Sequence, residues 1–281
     1  MRNYTIVDYF GYDLSPEDRM KAIRAAGFDG VILLWADYFD PDYKDFPRYA
    51  AKEGLFVENT HGPYKGAETI WQDSAAGEEY TEQILACIRD CSTYGIPAMV
   101  MHAVNGMVSL PEDVSLGLER FRRIDDLAER CGVNVAVENQ GNPQYLELVF
   151  DVDNRFSDRL GFCFDSGHEN FYSPGRHLLS SYGEKLMALH LHDNNGREDA
   201  HALPFTEAPE GGSVDWTEIR RKLQALQYSG AVALETLNKG YEHITDPVEF
   251  LRLALERAKK YCKPKRHPYG YRNPYECLLF I

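Results

Sequence analysis

No stretch of this sequence is apolar for long enough to cross a membrane, and its opening MRNYTIVDYF has no basic segment followed by an apolar one. The first absence excludes a spanning helix, and the second predicts that the opening is not a secretory leader. Positive charge is scarce: 30 Lys and Arg stand against 44 Asp and Glu, a formal net charge of −14. Binding a nucleic-acid backbone depends on cations that neutralise phosphates, so nucleic acid is a disfavoured partner and a small molecule a favoured one. Cysteine is sparse and unpatterned. Cys87, Cys91, Cys131, Cys163, Cys262 and Cys277 form no CxxC pair and no disulfide framework, so they read as ordinary reduced thiols, with Cys87 and Cys91 one helical turn apart. Missing too, after the first apolar run, is any GxGxxG or phosphate-binding glycine loop. A reduced, cytoplasmic chain with no organic cofactor is the expectation.

What is present is alternation. The 281 residues are 44% hydrophobic and 26% charged, ordinary for a globular chain with one large core. Eight short runs rich in β-branched and apolar residues recur: TIVDYF, GVILLW, LFVENT, AMVMHA, NVAVEN, LGFCFD, LMALHL and AVALET. Between them lie longer segments with apolar residues at three- and four-residue spacing, the mark of amphipathic helices. SPEDRMKAIRAAGF offers Ser15 as N-cap, Pro16 at the first helical position and Gly27 near its end. Asp215 with Glu218, and Asp246 with Pro247 and Glu249, repeat a capping-box start. Eight strand–helix repeats in order predict a single-domain α/β fold, a (β/α)8 TIM barrel over residues 1–262, in preference to a doubly wound open sheet. Asn170 to Glu184 is weakly periodic, so the sixth helix is the least defined. The tail over 263–281 lies beyond the last repeat. Its apolar end predicts packing on the barrel or on a neighbouring chain, so a homo-oligomer is one expectation, and its KPKRH run reads as a solvated turn.

A TIM barrel keeps its active site at the C-terminal ends of its strands. From the third repeat on, those ends carry Glu58 and His61, then His102, Glu138, Asp165 with His168, His190, and Glu235. Buried carboxylates are costly unless paired or bound to a metal, and several at one mouth repel each other. A divalent cation relieves both problems, and mixed imidazoles and carboxylates suit Zn, Mn or Co better than Ca. The densest stretch is LHLHDNNGREDAH, residues 189 to 201, where His190 and His192 alternate on one strand face and spacing does not choose between them. Lys65 and Asn139 fall near the mouth, where ligand contact and a plain surface role are equal expectations. His177, His243 and His267 stand away from strand ends and read as surface residues.

HGPY, VENQ, FDSGH, HLHDNNG with its following EDAH, and the final LET resemble the xylose-isomerase-like TIM barrels over roughly residues 4 to 262. That grouping includes sugar and sugar-phosphate isomerases and epimerases, ketose 3-epimerases and endonuclease IV-type enzymes. The epimerase-like branch implies one metal held by Glu138, Asp165, His190 and Glu235, with Glu138 and Glu235 also as the proton-transferring pair. It implies His168 and Arg197 as substrate contacts, Arg197 one residue off the family spacing, with His61 and Asn139 as further candidates. The endonuclease branch implies a larger, multi-zinc set that adds His61, His102, His168, Asp199 and His201.

Three functions follow as expectations. The first is a metal-dependent isomerase or epimerase that moves a proton next to the carbonyl of a carbohydrate. The second is a metal-dependent phosphoesterase of the endonuclease IV type, which the acidic charge opposes. The third is a barrel that binds a ligand without turning it over, which the intact ligand set opposes.

Overall fold

Parallel strands numbered β1 to β8 form one continuous sheet in the order β7-β6-β5-β4-β3-β2-β1-β8. They are Tyr4–Val7, Gly30–Leu34, Phe56–His61, Ala98–His102, Asn134–Glu138, Leu160–Asp165, Leu186–His190 and Val232–Leu234. The ring closes where Leu191 bridges to Leu234: its N–H donates to Ala233 and its carbonyl accepts from Glu235. This computed structural model describes residues 3–151, 153–205 and 212–262. The architecture is a TIM barrel in one domain. The predicted tail lies outside the described residues, as does His267.

Helices α1 to α9 return the chain between strands. They are Pro16–Ala26, Phe46–Lys52, Ala75–Tyr94, Ser115–Cys131, Gln144–Val149, Ser166–Tyr172, Leu178–Tyr182, Trp216–Ala225 and Pro247–Cys262. The caps expected from the sequence form: the Ser15 side chain accepts from Asp18 N–H, and Asp215 from Glu218 N–H. α3 begins a turn earlier than its apolar periodicity suggests, because Ser74 caps it by accepting from Gly77 N–H. The weakly periodic sixth segment resolves into α6 and α7, split around Pro174, whose ring stops a helix from continuing. The helices turn apolar stripes inward. Ile84 and Ile88 of α3, Phe121 and Ile124 of α4, and Phe250 and Leu251 of α9 are fully buried, each contributing roughly 1.5–3 kcal/mol by area removed from water.

Two-residue alternation along the strands sorts the barrel interior into layers. Val100, Ala136, Cys163 and Ala188 form a small buried cluster inside the ring. Two residues further along the same four strands stand His102, Glu138, Asp165 and His190. Small apolar side chains thus fill the barrel below, and the next inward layer is polar and buried.

Candidate functional site

Glu138 is the hub of that polar layer. Its Oε2 lies 3.2 Å from His102 Nε2, 3.2 Å from His190 Nδ1 and 3.4 Å from His61 Nε2, while Oε1 lies 2.7 Å from His168 Nδ1. His190 Nδ1 is also 2.7 Å from Glu235 Oε2, across the closing seam of the barrel. Register explains the gathering: His102 pairs with Glu138 and Asp165 with His190 on adjacent strands. Asn139 locks β5 to β6 from within. Its side-chain amide donates to the Asp165 carbonyl at 2.8 Å and its oxygen accepts the Asp165 N–H at 2.7 Å.

A second group lies beside the first. Asp165 caps α6, with Oδ1 accepting the His168 N–H at 2.6 Å, and the same oxygen is 3.0 Å from His192 Nε2. Asp199 joins His168 and His201, with separations of 3.2 and 3.4 Å, and His192 stacks on His201 at 3.9 Å between ring centres. Gly167 makes room for this: a Cβ there would sit 2.0 Å from the His192 ring. His190 and His192 fall into different groups. His190 goes with Glu138 and Glu235, and His192 with Asp165, Asp199 and His201.

Charge shapes the ionisation states. Burial resists ionising Glu138, but the neighbouring His190 and His102 outweigh it and hold the carboxyl well below its usual range. Glu235 is held low against burial by His190, and Asp199 by His168 and His201. Burial opposes an imidazolium at His168 and His201, yet the carboxylates beside them raise both, His201 to about 9. At His102 burial prevails over Glu138 and lowers it, and burial pushes the Cys163 thiol up to about 12.

The donor set fits a divalent cation. Donor atoms of Glu138, Asp165, His190 and Glu235 lie within 4.8 Å of one another, and so do those of His168, His192, Asp199 and His201. Asp165 Oδ2, His102 Nδ1 and His192 Nδ1 are buried with no hydrogen-bond partner among the described residues. Such an atom costs about 1–3 kcal/mol when left unsatisfied. A cation would satisfy the carboxylate oxygen, and carboxylates with imidazoles suit Zn, Mn or Co.

Above these groups opens a cavity of about 640 Å³, lined by His61, His102, His168, Asp199, His201 and Glu235 on one side. Two candidates stand apart from it. Arg197 is exposed in the loop after β7, its N–H bonded to the Asn195 side chain, and Asn139 spends its amide on the Asp165 backbone. Lys65 is exposed with its ammonium 4.1 Å from the centre of the Tyr38 ring, and His177 and His243 are exposed as expected. The lining also includes residues the sequence reading passed over: Asp8, Arg19 and Asp40. The signal existed, since TIVD ends an apolar run on an acid just as FCFD does.

Comparison with known proteins agrees with this fold. A family model described as the xylose isomerase-like TIM barrel matches residues 20–261. An uncharacterized protein of Sinorhizobium fredii is 34% identical over 267 residues, 80% of this chain and 82% of that one. An inosose isomerase of Bacillus velezensis is 26% identical over 188 residues, 62% of this chain and 65% of the relative. A solved L-ribulose 3-epimerase shares the fold with a TM-score of 0.69 at 17% identity, over 95% of this chain and 100% of that one. With its matched span running from α1 through α9, the chain belongs to the xylose isomerase-like TIM barrel family.

Proposed function

We propose that this protein is a sugar isomerase or epimerase that uses a divalent metal, Zn, Mn or Co, to move a proton next to a carbonyl. The observation that carries the reading is Glu235. It lines the cavity while its Oε2 stands 2.7 Å from His190, within the donor group that includes Glu138 and Asp165. Relatives named as an inosose isomerase and an L-ribulose 3-epimerase support the class of reaction. Glu138, Asp165, His190 and Glu235 would hold the ion. Bound there, it supplies Lewis acidity to adjacent sugar oxygens and so acidifies the neighbouring C–H. Glu235, held ionised by His190, accepts that proton from the cavity side, and Glu138, buried beyond His190, is the second carboxylate of the pair. His168 lines the cavity with a proton held by Asp165 and Asp199, so it donates to a substrate oxygen. His61 lines the same cavity. The test is deuterium exchange into ketoses by the metal-loaded protein in D2O. Exchange at a single carbon, lost in Glu235→Gln, is expected; undiminished exchange in that variant would refute the assignment.

A second reading, a phosphoesterase with more than one zinc, is favoured by one observation, the separate group of His168, His192, Asp199 and His201. Its test is nicking of an abasic duplex. The net charge of −14 weighs against it.

A further inference from the structure

The cavity has a second polar pole that the proton chemistry does not use. Asp8 follows β1 directly and is fully buried. Its Oδ1 accepts the Leu34 N–H at 2.9 Å, and its Oδ2 meets Arg19 Nη1 at 2.9 Å. Arg19 Nη2 turns to Asp40 Oδ2 at 3.3 Å, and Arg19 Nε is buried with no partner among the described residues. Asp13 completes the acidic lining. Arg19 is the one Lys or Arg among the described residues that line the cavity, and both its terminal nitrogens are engaged by acids. The wall leading from this pole to the candidate metal centre is aromatic. Phe39 meets Tyr38 at 4.6 Å, Tyr38 meets Tyr64 at 5.9 Å, and Tyr64 stacks on His102 at 5.5 Å and 22°.

We infer that Arg19 and Asp40 form the distal subsite of the cavity, that they bind adjacent hydroxyls of an uncharged polyhydroxylated substrate, and that this pole turns phosphorylated and carboxylated sugars away. The inference rests on the sugar reading above and specifies its substrate class.

Three arguments converge. Recognition of a phosphate or carboxylate needs a free guanidinium, ammonium or helix N-terminus. This pole offers one guanidinium already shared by two carboxylates, with Asp13 beside them. An anionic tail would meet net negative charge on a wall where Asp8 and Arg19 are buried, and like charges repel more strongly there than in bulk water. Hydroxyls face no such penalty: each donates to a carboxylate and accepts from an N–H that the two ion pairs of Arg19 leave over, and Asp40 keeps further lone pairs beside its contacts with Arg19 at Oδ2 and with the Asp42 N–H at Oδ1. The aromatic wall takes the C–H face of a sugar, and about 640 Å³ suits a small ligand. Asp8 acts through Arg19 and is a positioning residue.

The experiment is calorimetry on the metal-loaded protein with matched probes: D-fructose and D-fructose 6-phosphate, myo-inositol and myo-inositol 1-phosphate. A neutral probe should bind at least tenfold more tightly than its own phosphate ester. Asp40→Asn should narrow that ratio several-fold, raise KM for the neutral sugar with kcat held, and leave metal per chain unchanged. Asp13→Asn, which breaks no ion pair among the described residues, provides a second variant with the same expected direction should the first misfold. Phosphate esters that bind as well as their parents, or a ratio unmoved in both variants, would overturn the subsite. Proton exchange on a phosphate ester alone would do so while leaving the sugar reading standing. No binding by any probe, together with no exchange, would sink the sugar reading and this inference with it.

Discussion

Asp8 and Glu138 are both removed from water, at 0% and 1% exposure, yet they are settled differently. Asp8 finds its partners within the chain: a backbone N–H, and a guanidinium it shares with Asp40. Glu138 is surrounded by four imidazoles, of which His102 keeps its Nδ1 without a partner among the described residues, as does nearby Asp165 Oδ2. A buried acid that is satisfied internally marks a fixed wall, whereas a cluster of incompletely satisfied acids and imidazoles marks a place for something added. The same residue type, equally hidden, is read by counting what remains unpaired.

The largest break in that comparison should come from the unpaired pole. Glu235→Gln or Glu138→Gln should cut exchange activity by about 10²–10⁴-fold, the range for a lost acid–base group, while Asp8→Asn should leave proton transfer itself largely in place. Single-turnover exchange rates on a common substrate decide it. Next comes the ion. Stripping metal at about one hundred times its Kd should cost about 2.7 kcal/mol of stability, read as a lower Tm after chelation that is restored on reloading. Because Cys163, Glu235 and Glu138 raise His190 well above its usual range against burial, binding to the group it shares with Glu138, Asp165 and Glu235 must displace its proton. Affinity should therefore rise with pH, and calorimetry in buffers of different ionisation enthalpy should count protons released.

The two poles should also show opposite pH signatures. Burial, only partly offset by Arg19, raises Asp8 from 3.8 to about 6. Its contribution to folding is fully present below pH 3.8 and is lost as pH rises through about 6, roughly 3 kcal/mol in all. Glu138 and Glu235 are lowered, so theirs is present above the ordinary carboxylate range and lost as pH falls. Denaturant midpoints of wild type and Asp8→Asn between pH 4 and 7 should diverge in slope, and parallel curves would contradict the raised value. Smallest of all should be Glu78→Gln. It loosens a half-exposed pair with Arg123 at 2.7 Å and a longer one with Arg120 at 3.6 Å, and should cost about 1 kcal/mol.

Legibility followed the same division. The strands could be read because each is a short apolar run, and LGFCFD matches β6 residue for residue. Six inward carboxylates and imidazoles could be read because each ends such a run. The short helices α2 and α5 could not, since seven and six residues carry too little periodicity. The partition of His190 from His192 depended on packing across Gly167, which no spacing reveals. The Asp8 pole needed a contact between residue 8 and residue 19 on one side and residue 40 on the other. Arg197 shows the converse: a position suggested by family resemblance lies exposed to solvent.

The seam between β7 and β8 carries one more consequence. There, among the described residues, Leu191 bridges the ring, and directly beside that join His190 reaches Glu235 from one strand to the other. If an ion is gripped by those two side chains, it also acts as the buckle of the hoop. Opening motions of the barrel should then concentrate at this joint whenever the ion departs, so that loading the site and tightening the scaffold become a single event.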